Sequence, residues 1–151
     1  MLELILVAEL MAGIMPGQMN KQINCLIDNT VYEASAEGPV GMQVVVEVVL
    51  NRVVSDKYPN TPCGVVYDDQ QFSWVNDLPN VRIPTEDERL LAAQAVFSVI
   101  YEAVPRVLPE TTLHYINPVK ATDLSWYDED HVVAVIGNHH YLDFTNKERA
   151  F

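Results

Sequence analysis

The chain has 151 residues, 49% of them apolar, a formal net charge of −12 and an isoelectric point near 4.5. That length suits one domain, and a domain of this size can remove roughly 68–70% of its unfolded surface from water without staples. The acidic balance speaks against nucleic acid, whose affinity is mostly Lys and Arg against phosphate, and against an anionic membrane surface, so the expected substrate is neutral or is reached through a local site that the net charge does not describe.

Residues 1–15, MLELILVAELMAGIM, are apolar but carry Glu3 and Glu9 and no basic residue. A secretory signal needs a positive start, and a membrane span needs about 20 apolar residues. The expectation is a helix over residues 2–14 packed on the domain and stopped by Pro16-Gly17, with no stable membrane insertion; a weak signal-like or anchor segment is the alternative. Without a convincing signal, the protein stays in the cytoplasm where it is made until something releases it. A second helix is predicted to start between Gln18 and Lys21 and to run through Ile23, Leu26, Ile27, Thr30 and Val31 at helical spacing. It brings Glu33 into its last turns. Cys25 on that helix and Cys63 further on show no metal-ligand spacing and read as free thiols, a bridge being open to them only in an oxidising compartment.

Gly38, Pro39 and Gly41 interrupt the pattern. From Met42 to Val54 the chain is almost entirely apolar. Its valines would also suit a strand, but the length and the lack of alternation favour a helix, and one that is apolar on most faces belongs inside a protein. Residues 55–84 are rich in Pro, Asn, Asp and Gly and read as a long loop, with a turn of helix near Cys63 to Tyr67; loops this long in a small domain usually carry function. Thr85 and Glu88 form a capping box, opening a helix to about Ala103, with Pro105 beyond it. The period then changes. Thr112 to Ile116, His131 to Ile136 and His139 to Phe144 alternate, and Gly137-Asn138 reads as the hairpin turn between the last two. Residues 145–151 look like a charged tail. The expected fold class is therefore α+β: a mainly helical body with a small antiparallel sheet near the C-terminus, in a single domain over residues 1–151.

Glu33 and Glu37 are four residues apart, which on a helix puts both on one face. Two carboxyls that work on a sugar bond must flank it, and helix neighbours point the same way. One acid is thus expected to transfer the proton and the other to tune or orient it. Glu33, nearer the apolar core, is the better acid, since burial and a like charge both raise a carboxyl pKa; the bland alternative is two surface acids at a helix end. Gln71-Phe72-Ser73-Trp74 combines an amide, a hydroxyl and two rings, a mix that suits sugars, although the rings could equally pin the loop. His114, Tyr115 and Asn117, with Trp126, and His139, His140 and Tyr141 offer hydrogen bonds in a groove or the core. His139 and His140 are adjacent and would point to opposite faces of a strand, and there is no HExxH, so no metal is expected. Neither Ser73 nor Cys63 sits in a nucleophile signature.

Together these segments resemble the SleB-like cell wall hydrolases, the family of spore-cortex lytic enzymes that also occurs in phage lysins. Glu33-Ala34-Ser35-Ala36-Glu37, Gly41 and the run to Leu50-Asn51-Arg52-Val53 are similar to the family's EAxGE…G…AVxxVxLNRV. Tyr58-Pro59, Cys63, Val65-Val66-Tyr67 and Gln71-Phe72-Ser73 resemble FP…C…VVY…QFS. Thr112 to Pro118 with Trp126 looks like THYxNP…W, and Ile136 to Tyr141 looks like IGxHxFY. The four motifs keep their order across residues 28–142. Ala36 stands where the family has Gly, Gly38 is inserted before Pro39, and Leu113 replaces a smaller residue.

The resemblance implies a lysozyme-like fold and a lytic transglycosylase that cleaves peptidoglycan between N-acetylmuramic acid and N-acetylglucosamine. Glu33 would be the essential general acid/base. The substrate-binding set would be Glu37, Gln71, Phe72, Ser73, His114, Tyr115, Asn117, His139 and Tyr141, with no cofactor or metal. The setting that fits is a monomeric phage endolysin, held in the host cytoplasm until lysis and then acting on the wall. A muramidase using water and a second acid, a non-catalytic glycan-binding or virion structural protein, and a metal amidase are the alternatives.

Overall fold

Helix α1 spans Pro16–Ala34 and α2 spans Gly38–Val54. They belong to a computed structural model that describes residues 16–69 and 71–145; the helix expected over residues 2–14 and nearly all of the charged tail lie outside them. Both helices begin earlier than the sequence suggested. Proline has no N–H to lose at a helix start and its fixed φ suits the first turn, so Gly38-Pro39 opens α2 rather than breaking it, and α1 as described already includes Pro16 and Gly17. Gly38 takes a φ of +78°, which glycine adopts without strain. Helix α1 therefore closes at Ala34, with the Glu37 amide donating to the Ala34 carbonyl at 3.0 Å, and Glu37 becomes the residue that precedes α2. The two glutamates stand on either side of a turn, not on one helix face.

Helix α2 is the axis of the molecule. From Val44 to Val53 every residue is buried, including Glu47, Asn51 and Arg52, which use their polar ends to hold other segments. Glu47 accepts from the Val107 and Leu108 amides at 3.1 and 2.9 Å and from Gln43 at 2.9 Å. Asn51 donates to the Pro109 and Thr112 carbonyls at 3.1 and 2.9 Å, and Arg52 Nε donates to Leu113 O at 2.8 Å. Three polar side chains of the core helix thus fix the otherwise irregular stretch leading into the sheet.

Helices α1 and α5 (Glu86–Ile100) pack on α2. The capping box forms as expected, with Thr85 Oγ1 accepting from the Glu88 amide and Glu88 from the Thr85 amide. The long loop carries two short helices, α3 (Pro62–Val66) and α4 (Ser73–Asn76), of which the sequence suggested only the first. Helix α3 lies beside α1, with the Cα atoms of Cys25 and Cys63 5.2 Å apart, and the two cysteines form a disulfide. This corrects the free-thiol expectation: they lie 38 positions apart in the chain, and only the folding of α3 back onto α1 makes them neighbours.

The sheet has three antiparallel strands, β1 (His114–Ile116), β2 (Val132–Ile136) and β3 (His139–Leu142), in the order β1-β3-β2. Gly137 makes the expected hairpin turn with a φ of +58°. The register Tyr115↔Tyr141 and Ile116↔His140 places β1 against α1's C-terminal end.

Candidate active site

Glu33 sits in the last turn of α1, where the helix meets β1. Its carboxylate accepts a hydrogen bond from the Tyr115 hydroxyl at 2.7 Å. Burial pushes the Glu33 carboxyl above the ordinary range. The Tyr115 bond and the neighbouring His139 and Arg52 pull against this, Glu37 adds a smaller upward push, and the net shift is up. The same burial, with Glu33 alongside, pushes the Tyr115 hydroxyl well above its usual range, so it stays a donor.

An open groove of about 320 Å³ runs over this carboxyl. Arg52 and Gln71 line one side, with Ser73 and Asn76 of α4; Tyr115 and Ile116 of β1 and Asn117 just after it line another, with His139 of β3. Arg52 is held by Leu113 O, by Gln71 Oε1 at 3.4 Å, and by the Tyr58 and Phe72 rings at 5.0 and 5.3 Å from its guanidinium carbon. His139 lies edge-on to Tyr115, ring centroids 5.3 Å apart, and its Nδ1 is 2.5 Å from Glu37 Oε1. Glu37 therefore orients His139 and stands behind the groove wall. Gly41 makes this possible, because a Cβ there would fall 2.5 Å from the Cβ of Glu37.

Of the residues singled out from the sequence, Glu33, Gln71, Ser73, Tyr115, Asn117 and His139 come together on the groove. Four do not, and each has a physical reason. Glu37 is turned to His139. Phe72 is buried in the core and meets the site only through Arg52. His114 neighbours Tyr115 on a strand and so faces the other way; it packs on Trp126 and Phe144, and burial lowers its pKa. Tyr141 is wholly buried among Val44, Val48 and Leu108. Sequence reasoning missed Arg52, Asn76 and Ile116 as lining residues. For Arg52 the signal was present, since an arginine ending a buried helix needs polar partners.

A single raised-pKa carboxyl with a fixed donor, open to a polar groove, can give a proton to a leaving oxygen and take one back. The class defined by fold and site is a carboxyl-centred acid/base domain built on a buried helix. A family model described as Cell Wall Hydrolase matches residues 36–142, and the chain belongs to that family. It is similar to the spore cortex-lytic enzymes of Bacillus cereus (34% identical over 76% of the chain) and Bacillus subtilis (31% over 87%). In each case it spans 41% of the relative's length. Among solved structures it resembles the catalytic domain of the germination-specific lytic transglycosylase SleB from Bacillus anthracis, with a TM-score of 0.64 and 30% identity, covering 86% of this chain and all of that one. The catalytic domain of Bacillus cereus SleB gives 0.60 and 31%, covering 82% of this chain and 91% of that one. The lysozyme-like α+β fold expected from the sequence is the fold these share.

Proposed function

We propose that this chain is a peptidoglycan lytic transglycosylase that cleaves between N-acetylmuramic acid and N-acetylglucosamine, acting as a single catalytic domain, as a monomer and without a cofactor. The observation that carries the reading is Glu33, which is the one carboxylate among the described residues that line the groove and has its pKa raised by burial. Protonated Glu33 donates to the glycosidic oxygen as the C1–O bond breaks. The sugar's own C6 oxygen then bonds to C1, and Glu33, now a carboxylate, takes the C6 hydroxyl proton, closing a 1,6-anhydro ring. One group serves both steps and no second carboxylate is needed, unlike the paired acids of a hydrolytic glycosidase. The intramolecular nucleophile supplies proximity. Similarity to a lytic transglycosylase catalytic domain supports the same reading.

The test is to incubate purified sacculi with wild type and Glu33→Gln and identify the soluble fragments by mass spectrometry. The expected result is 1,6-anhydro muropeptides from wild type and a loss of at least ~10²–10⁴-fold in the variant. Reducing ends would replace this mechanism with hydrolysis by water, and wall binding without release would replace it with a binding role. We further propose that the setting is a phage endolysin, freed from the host cytoplasm at lysis to act at the wall. Expression in a host with and without a membrane-permeabilising partner checks this, lysis being expected only with the partner.

A further inference from the structure

Beside the Glu33 groove lies a second cavity of about 570 Å³, lined by Tyr32, Trp74, residues 76–78 and residues 80–82. Both cavities fall within the size range of ligand sites, roughly 300–1,000 Å³. We infer that the second is a continuation of the glycan cleft, taking N-acetylated hexosamine units on one side of the bond that is cut; this rests on the reading of Glu33 given above.

The two cavities are neighbours. Asn76 lines both, and Tyr32 immediately precedes Glu33 on α1. The floor of the second is the Tyr32–Trp74 pair, stacked with centroids 4.6 Å apart. The polar atoms of both rings are used elsewhere: Trp74 Nε1 donates to Asn29 Oδ1 at 2.9 Å, and the Tyr32 hydroxyl donates to Arg82 O at 2.9 Å. Trp74 is buried and backs Tyr32, so the carbon surface on offer, the complement of the C–H faces of a pyranose, is that of the half-buried Tyr32 ring. The exposed side chains of Asn76 and Asn80 offer amides that both donate and accept, the complement of hydroxyl and N-acetyl groups.

The far wall is held in place relative to the acid. Besides the Tyr32 bond to the Arg82 carbonyl, the Arg82 guanidinium is tied to Glu88 at 2.8 Å and to Ser35 Oγ at 3.3 Å. Residues on both sides of Glu33 thus anchor the wall, and a wall fixed before the ligand arrives loses less on binding. A cleft continuing past the acid grips a polymer beyond the scissile bond and favours cutting within a strand.

The test uses Glu33→Gln, which binds without cutting, ¹⁵N-labelled and titrated with peptide-free glycan oligomers of two and of eight sugars. The short oligomer is expected to shift signals of the groove, such as those of Gln71 and Asn117. The long one should also shift the Trp74 indole N–H and the Asn76 and Asn80 side-chain amides, and should bind at least ~10-fold tighter. Asn80→Trp, added to fill the cavity, should remove that gain. Eight-sugar shifts confined to the groove, or an eight-sugar affinity unchanged by Asn80→Trp, would overturn the extension and leave the assignment of Glu33 standing. No shift anywhere with either oligomer would overturn both.

Discussion

Burial alone would keep a proton on Glu33 to higher pH than on a surface carboxyl, and Tyr115 trims that effect by donating to the ionised form. On the proposed mechanism the first step needs Glu33 protonated, so activity should fall as pH rises through the Glu33 pKa in the folded protein. Tyr115→Phe removes a downward influence, so the pKa rises further and the alkaline limb of the pH–rate profile should move to higher pH. The rate at the optimum should drop about tenfold as the carboxyl loses its orientation, a charged hydrogen bond being worth ~1.5–3 kcal/mol. A profile that keeps its alkaline limb while the rate falls would mean that another group sets that limb. Glu33 was legible from its place beside the apolar run and from the motif around it. The partition of β1 was not: Leu113-His114-Tyr115 reads as two good hydrogen-bonding residues in a row. Only the pairing with β3 decides that Tyr115 meets the acid while His114 goes to Trp126 and Phe144.

At the scale of elements, α2 shows why an apolar helix keeps a few polar residues. Glu47 is fully buried and takes two backbone amides of the segment after α5. Glu47→Ala would leave both without an acceptor and remove the carboxylate that lies 3.9 Å from Arg106. A loss of about 3–5 kcal/mol is expected in chemical denaturation, the usual cost of breaking a buried charged contact. Glu47→Gln, which keeps one acceptor, should lose less; equal losses would mean that side-chain volume matters more than the hydrogen bonds. The capping box at Thr85 and the hairpin at Gly137 were readable because each is local, decided by a few adjacent residues. The helix start at Gly38 was misread because proline and glycine signal both endings and beginnings, and which one holds depends on what packs next.

For the whole molecule, the disulfide joins the helix that carries Glu33 to the loop that supplies the groove's other wall. Whether the two cysteines bond was not decided by the sequence, because chain positions 38 apart give no distance until α3 docks. Closing a loop of that size is worth ~2–4 kcal/mol, so a reductant should lower Tm by on the order of 10 °C. Cys63→Ser should start from the lower value and be insensitive to reductant. A bridge of this kind persists on the oxidising side of a cell boundary, so under the endolysin proposal it would be expected to close only after release from the cytoplasm. The net charge of −12 remains opposite to what an anionic wall would attract, yet the one Lys or Arg among the described groove-lining residues, Arg52, stands beside the acid, so the local field differs from the global one.

The clamps that Asn51 and Arg52 place on the Pro109, Thr112 and Leu113 carbonyls amount to a ruler for the three-residue strand that follows. Strand faces alternate, so the length of chain between the last clamp and Tyr115 has a parity, and only one parity delivers a phenol to the carboxyl. Here a one-residue insertion would hand the acid an imidazole in place of the phenol, and the fold would survive while the chemistry changed.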